Sequence, residues 1–252
     1  MDNDLAVKIP NWIKQYAETH NIKSLVVGVS GGIDSAVVST LCAQTGIHTI
    51  AVSLPIRQRE DLHNLSLDHC FWLGNKFSNV RTEIVNLTST FDRFEEIMGN
   101  YNSELAFANS RSRLRMIALY QIAQSCSGIV VGTGNKVEDF GVGFFTKYGD
   151  GGVDISPIAD LLKTEVWQLG RELGVDQRII DAAPTDGLWE DGRVDQDQLG
   201  GLTYAELEVA MELDETNAVP LNDAEAMTLY QYRKIRARNL HKMKPIPVFK
   251  KS

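Results

Sequence analysis

Gly28-Val29-Ser30-Gly31-Gly32-Ile33-Asp34-Ser35 combines the residue types of an anion-binding turn. Glycines let a backbone turn tightly and approach a phosphate closely. The segment lies between an apolar run and a stretch with helical pattern, so a helix N-terminus would offer unpaired N–H groups and a partial positive charge. Ser30 and Ser35 add hydroxyl donors. Asp34 would repel a bare phosphate, so its presence points to a divalent cation between carboxylate and phosphate. The spacing is neither G-x-x-x-x-G-K-[ST] nor G-x-G-x-x-G, which excludes the two commonest nucleotide fingerprints.

Two further segments concentrate polar groups. Thr133 to Ser156 and Asp186 to Gly201 are rich in Gly and Asp and have no clear period. Stretches of this kind inside a compact chain are usually functional loops, and residues 135–153 and 186–200 are the segments expected to close over a ligand. His63, His69 and Cys70 lie near one another, but no second Cys/His pair at ligand spacing accompanies them, so no metal centre is expected there.

The elements that must position these residues follow from hydrophobic pattern. Leu5, Ile9, Trp12, Ile13 and Tyr16 recur at helical spacing, interrupted by Pro10. Ser24 to Val29 is a short continuous apolar run, the mark of a strand buried on both faces. A helix is predicted over 33–44, a strand over 48–54, a helix over 59–76, a strand over 80–87, a helix over 103–125 and a strand over 128–132. Helices follow near 164–173, 177–182, 204–213 and 224–238, then a basic tail over 242–252. Strands alternating with helices imply an α/β fold with a doubly wound, mainly parallel sheet, helices on both faces and further helices at the C-terminal end. No linker divides the chain, so 1–252 is expected to be one domain.

Composition narrows the function classes. The chain has 252 residues, 43% of them apolar and 23% charged, which is enough for a substantial core. A formal net charge of −8 lacks the basic footprint of a nucleic-acid binder. Cys42, Cys70 and Cys126 are sparse and odd in number, which suits reduced thiols in a cytoplasm. The acidic N-terminus is unlike a secretory leader, and no apolar run approaches a bilayer span. No nucleic acid and no membrane are expected as partners.

The string Ser30-Gly-Gly-Ile-Asp-Ser35 after a buried strand resembles the PP-loop ATP pyrophosphatase superfamily. Gly143-Phe-Phe-Thr-Lys-Tyr-Gly-Asp-Gly-Gly-Val-Asp154, preceded by Gly132-Thr-Gly-Asn-Lys-Val-Glu138, resembles the NAD synthetase family within it. The likeness continues through Pro157, Leu162-Lys163, Ala183-Pro184-Thr185 and His241-Lys242, in one order over roughly residues 24 to 250. It implies an adenine nucleotide alpha hydrolase-like fold and ammonia-dependent amidation of deamido-NAD to NAD, with ATP as co-substrate and Mg²⁺ as cofactor. Carried over by position, Gly28, Val29, Ser30, Gly31, Gly32, Ile33, Asp34 and Ser35 would bind the ATP phosphates. Thr133, Lys163 and Thr185 would also contact ATP. Arg113, Lys147, Asp154, His241 and Lys242 would contact deamido-NAD, and Asp34 and Glu138 would hold the metal. On a helix Arg111 and Arg115 share a face while Arg113 points elsewhere, which leaves Arg115 the nearest rival to Arg113. The resemblance also implies a homodimer with small-molecule substrates. Asn135-Lys136-Val137 departs from the His- and Ala-containing stretch of many members, and Arg57 to Asp61 matches no family pattern.

The implied reaction has two steps: the nicotinate carboxylate attacks the α-phosphorus of ATP, then ammonia displaces AMP from the acyl-adenylate. Positioning and charge stabilisation suffice, without a covalent enzyme intermediate. No glutaminase-like segment is seen, so free ammonia is the expected nitrogen donor. The competing readings are another PP-loop enzyme, such as a tRNA-thiolating or GMP-forming one, and a non-catalytic ATP-binding sensor. The first would favour catalytic cysteines and a basic RNA surface. The second would not need Glu138, Lys147 and Asp154 together.

Overall fold

The computed structural model describes residues 4–189 and 193–251. Four parallel strands, β1 (Ser24–Gly28), β2 (His48–Ser53), β3 (Val80–Ile84) and β4 (Gly128–Val130), form one sheet in the order β3-β2-β1-β4. The helices are α1 (Leu5–Thr19), α2 (Ile33–Gln44), α3 (Glu60–Lys76), α4 (Thr88–Ile97), α5 (Glu104–Ser125), α6 (Lys163–Leu173), α7 (Gln177–Asp181), α8 (Asp195–Gln198), α9 (Tyr204–Thr216) and α10 (Asp223–Met243).

Alternate residues of β1 feed two cores. Leu25 and Val27 pack with Val37 and Leu41 of α2 and with Val166 and Leu169 of α6. Val26 packs on the opposite face with Ile50, Val52, Val130 and Ala123 of α5. A third core, outside the sheet, joins Leu207 and Met211 of α9, Tyr232 of α10, and Val137 and Val142. The chain winds outward from β1 through β2 to β3, then returns to place β4 on the other side of β1. That reversal opens a crevice at the carboxyl ends of β1 and β4, where open α/β sheets bind ligands.

The structure departs from the sequence expectation in several places. Pro10 does not break α1, which runs on to Thr19 with Ile9, Pro10, Ile13 and Ala17 buried against the core. Burial of that face outweighs the missing N–H. β3 ends at Ile84 rather than residue 87. α4 occupies a stretch to which pattern assigned nothing. Within the expected loop 133–156, Lys136–Val142 forms a π-helical turn closed by Gly143 at φ 69°; such turns cluster at functional sites. His241 and Lys242 lie in the last turn of α10 rather than in a tail. Part of the expected loop 186–200, residues 190–192, lies outside the described residues.

His69 of α3 is 2% exposed, with Nε2 2.9 Å from Ser39 Oγ and its ring stacked on Trp72. Burial depresses its pKa from 6.5 to about 4. Below pH 6.5 the unfolded chain therefore takes up a proton that the native chain refuses. Stability is present above pH 6.5 and is lost as the pH falls to about 4, by on the order of 3 kcal/mol. His69→Gln is expected to flatten Tm against pH over that interval relative to the parent; parallel curves would refute it.

Candidate active site

β1 ends at Gly28, and the turn through Val29 to Gly32 delivers the chain into α2. Hydrogen bonds close the turn on itself. Ser30 N–H donates to Ser35 Oγ (3.1 Å), Ser35 Oγ donates to the Gly32 carbonyl (2.9 Å), and Gly32 N–H donates to Ser30 Oγ (3.2 Å). Ser66 of α3 fastens the turn from behind by donating to the Val29 carbonyl at 2.8 Å. The first turn of α2 then points its N–H groups at the crevice.

A buried charge cluster flanks the turn. Lys163, the first residue of α6, is 1% exposed. Its Nζ donates to Asp34 Oδ2 at 2.6 Å and to Glu138 Oε1 at 2.8 Å. Burial alone would depress the ammonium, but the attraction of Asp34 and Glu138 outweighs it and holds the pKa above its ordinary value. Burial raises Asp34 against the pull of Lys163. For Glu138 burial is overcome by Lys163 and by hydrogen bonds from Lys163 and Tyr204, and the net shift is downward. Asn135 organises the pair: Oδ1 accepts the Val137 and Glu138 N–H groups, each at 3.1 Å, and Nδ2 donates to Asp34 Oδ1 at 3.1 Å.

This donor set fits a magnesium-sized cation. Two hard carboxylates converge on one point, where the Lys163 ammonium stands in for a cation, and the hydrogen bonds that Lys163 and Tyr204 give Glu138 both fall on Oε1. Among those residues no group of three or more His, Cys, Asp or Glu could hold a metal alone. A cation here would take its remaining ligands from phosphate and water, as Mg²⁺ commonly does.

Beyond the cluster lies a cavity of about 690 Å³. Its walls include Ser30 to Ser35, Arg113, Thr133, Glu138, Lys147, Lys163, Thr185, His241 and Lys242. A smaller, more apolar cavity of about 180 Å³ at the strand ends includes Gly28, Val29, Leu54, Arg115, Leu119 and Val131. Ser30, Gln58, Thr133, Asp150 and Asp186 border both. Lys242 Nζ donates to the Phe145 carbonyl at 2.7 Å, which ties α10 to the cavity wall. Arg113 is exposed and donates from Nε to the Lys147 carbonyl at 3.2 Å. Arg111 turns inward to the Leu188 carbonyl at 2.6 Å, and Arg115 to the Leu54 carbonyl at 2.9 Å.

Asp154 stands apart and lines neither cavity. Its Oδ2 accepts the Val130 N–H at 2.7 Å and its Oδ1 accepts the Tyr120 hydroxyl at 3.1 Å. It fastens the end of β4.

Sequence reasoning missed several groups. Asp139 and Asp150 both border the large cavity, and burial, with neighbouring carboxylates, raises the pKa of each. Gly149-Asp150-Gly151 lay within the recognised string, so Asp150 was findable. Burial lowers Arg115 to about 10. Tyr204 reaches Glu138 from α9, with Asp195 of α8 against the same hydroxyl, and no spacing rule connects residues so distant in sequence.

Comparison with known proteins fits this geometry. The NAD synthase family profile matches residues 5–251. The chain is 38% identical over 235 residues to the NH(3)-dependent NAD(+) synthetase of Alkaliphilus metalliredigens, covering 88% of this chain and 91% of the relative. The structure of NMN synthetase from Francisella tularensis superposes with a TM-score of 0.87 at 30% identity, covering 98% of each chain. The NH3-dependent NAD synthetase of Campylobacter jejuni shares the fold, with a TM-score of 0.80 at 23% identity. With the turn, the paired carboxylates and the buried lysine around one crevice, the match over nearly the whole chain means that this protein belongs to the NAD synthase family.

Proposed function

We propose that this chain amidates deamido-NAD to NAD, using ammonia and ATP and releasing AMP and pyrophosphate. The observation that carries the reading is the convergence of the Ser30–Ser35 turn, the Asp34–Lys163–Glu138 cluster and Lys147 and Lys242 on one cavity. A nicotinate oxygen attacks the α-phosphorus, the bond from that phosphorus to the bridging oxygen breaks, and pyrophosphate leaves into the turn. The nitrogen lone pair of ammonia then attacks the acyl carbon, the bond to AMP breaks and one proton is released. The Ser30, Ser35 and backbone donors hold the phosphates. Thr133, Lys163 and Thr185 complete the ATP contacts, while Arg113, Lys147, His241 and Lys242 receive the acceptor's anionic groups. Mg²⁺ held by Asp34 and Glu138 would neutralise charge on the phosphates. Asp154, whose oxygens also fasten the end of β4, is assigned the acceptor contact that the family resemblance implies.

We also assign one domain over 1–252, a homodimer and a cytoplasmic setting. Family resemblance supports the dimer, and no helix among the described residues is long and apolar enough to cross a membrane. A second reading keeps the chemistry and changes the acceptor to nicotinic acid mononucleotide. The likeness to the Francisella tularensis NMN synthetase favours it.

The test incubates the protein with ATP, Mg²⁺ and ammonium, with deamido-NAD in one arm and nicotinic acid mononucleotide in the other. The expected result is NAD, AMP and pyrophosphate in equal amounts, with the higher kcat/KM in the dinucleotide arm. A higher kcat/KM in the mononucleotide arm selects the second reading. No amide in either arm sinks both.

A further inference from the structure

Glu138 sits on a π-helical turn, and the group that grips its carboxylate comes from the C-terminal helices. Tyr204, the first residue of α9, donates its hydroxyl to Glu138 Oε1 at 2.5 Å. Lys163 Nζ donates to the same oxygen at 2.8 Å. One carboxylate oxygen thus takes both donors, which leaves Oε2 for a further ligand.

Tyr204 is itself held on three sides. Its ring meets Trp167 edge to face at 5.7 Å, and Lys163 Nζ lies 4.9 Å from the ring centroid. Behind the hydroxyl, Asp195 Oδ2 lies 3.2 Å from Tyr204 Oη. Asp195 is 5% exposed and its Oδ1 has no hydrogen-bond partner. A phenol has one proton, and the 2.5 Å contact to Glu138 claims it. Asp195 Oδ2 is the longer, second acceptor for the same hydroxyl and flanks the phenol from behind. The start of α9 is also fastened to α6, because Glu208 accepts the Thr164 N–H at 3.0 Å and the Thr164 hydroxyl at 2.9 Å.

We infer that Tyr204 is a positioning residue for the metal-bearing carboxylate: by occupying Oε1 it fixes the orientation of Glu138 and presents Oε2 to a phosphate-bound cation. The inference rests on the magnesium–ATP reading of the site. Groups that orient a ligand from behind typically contribute 10–100-fold to metal affinity. Tyr204→Phe keeps the ring against Trp167 and removes only the hydroxyl.

The test measures Mg²⁺ binding by titration calorimetry with α,β-methylene ATP present, alongside the Mg²⁺ dependence of turnover. Tyr204→Phe is expected to weaken Mg²⁺ at least tenfold and to leave KM for the acceptor within twofold. An Mg²⁺ affinity within twofold of the parent overturns the inference. If the phenylalanine variant fails to fold, Asp195→Ala, which removes the carboxyl that flanks the phenol from behind, is judged by the same two thresholds. A parent that shows no Mg²⁺-dependent binding of the analogue removes the underlying reading as well; parent binding that the variants leave unaltered removes the inference alone.

Discussion

Lys163→Met is expected to lower Tm by about 10 °C at neutral pH and to reduce turnover at least a hundredfold. The substitution leaves Asp34 and Glu138 facing one another without the ammonium that now lies 2.6 and 2.8 Å from them. Removing one partner of a buried pair costs roughly 3–5 kcal/mol, because the remaining charge is uncompensated, and each kcal/mol moves Tm by about 2–4 °C at this chain length. The Met side chain replaces most of the lysine's buried volume, so the loss reports charge rather than a cavity. A Tm within 2 °C of the parent would show that the cluster is not strained by loss of its cation.

The sign of the pH effect follows from the same geometry. Without Lys163 the two carboxylates raise one another's pKa in the folded state, so the folded variant binds protons more readily than the unfolded chain. Its stability deficit relative to the parent therefore shrinks as the pH falls from 7 towards 5. Mg²⁺ should also raise the variant's Tm more than the parent's, since a divalent cation restores the missing charge. Asp34→Asn combined with Lys163→Met removes the repulsion and is expected to recover most of the Tm. It also removes a proposed metal ligand and a proposed phosphate contact, so turnover is expected to stay lost. Recovery of both would mean that the cluster serves only the fold.

What pattern could reach, and what it could not, divides along the range of the interactions. β1, the glycine turn and α2 are set by neighbours in sequence: an apolar run, glycines and a helical stripe lie within twenty-one residues of one another, from Ser24 to Gln44. The parallel sheet and its crevice follow from the order of such units. Pro10 misled because local propensity was outweighed by the burial of Ile13 and Ala17. α4 was passed over although Phe91, Phe94 and Ile97 repeat at three-residue spacing, enough to mark one face. The π-helical turn has no sequence period at all; Asn135 capping its N–H groups and α10 holding its carbonyls make it. The long-range part of the site was illegible for the same reason. Lys163 meets Asp34 across 129 residues and Tyr204 meets Glu138 across 66. Family likeness supplied Lys163, while Tyr204 emerged only from packing. Asp154 has its oxygens engaged at the strand end, so its contact with the acceptor rests on likeness alone.

Gly31→Ala is expected to lower stability by about 3 kcal/mol and turnover by at least a hundredfold, through two separable effects. Gly31 adopts φ +91°, where a side chain is strained. Its added Cβ would also fall 2.4 Å from the Leu62 carbonyl oxygen and 3.1 Å from the Ser66 amide nitrogen, both backbone atoms of α3. Neither side can yield cheaply. Ser66 is anchored to the Val29 carbonyl and to Ser53, and the turn is closed by Ser30, Gly32 and Ser35. The turn must therefore move away from α3, which shifts the donors proposed to hold pyrophosphate; a displacement of about 1 Å in a positioning group costs on the order of 100-fold in rate. Gly46→Ala separates the two terms. Gly46 sits at φ +75° with nothing within 4 Å of an added Cβ, so it carries the backbone penalty of about 1–2 kcal/mol and no overlap. Gly32, with its added Cβ 3.4 Å from Ser30 Oγ alone, should cost less than 1 kcal/mol as alanine. The expected order of destabilisation is Gly31→Ala, then Gly46→Ala, then Gly32→Ala. Equal losses at Gly31 and Gly46 would mean that α3 gives way, and the turn would then owe its shape to its own hydrogen bonds rather than to the helix behind it.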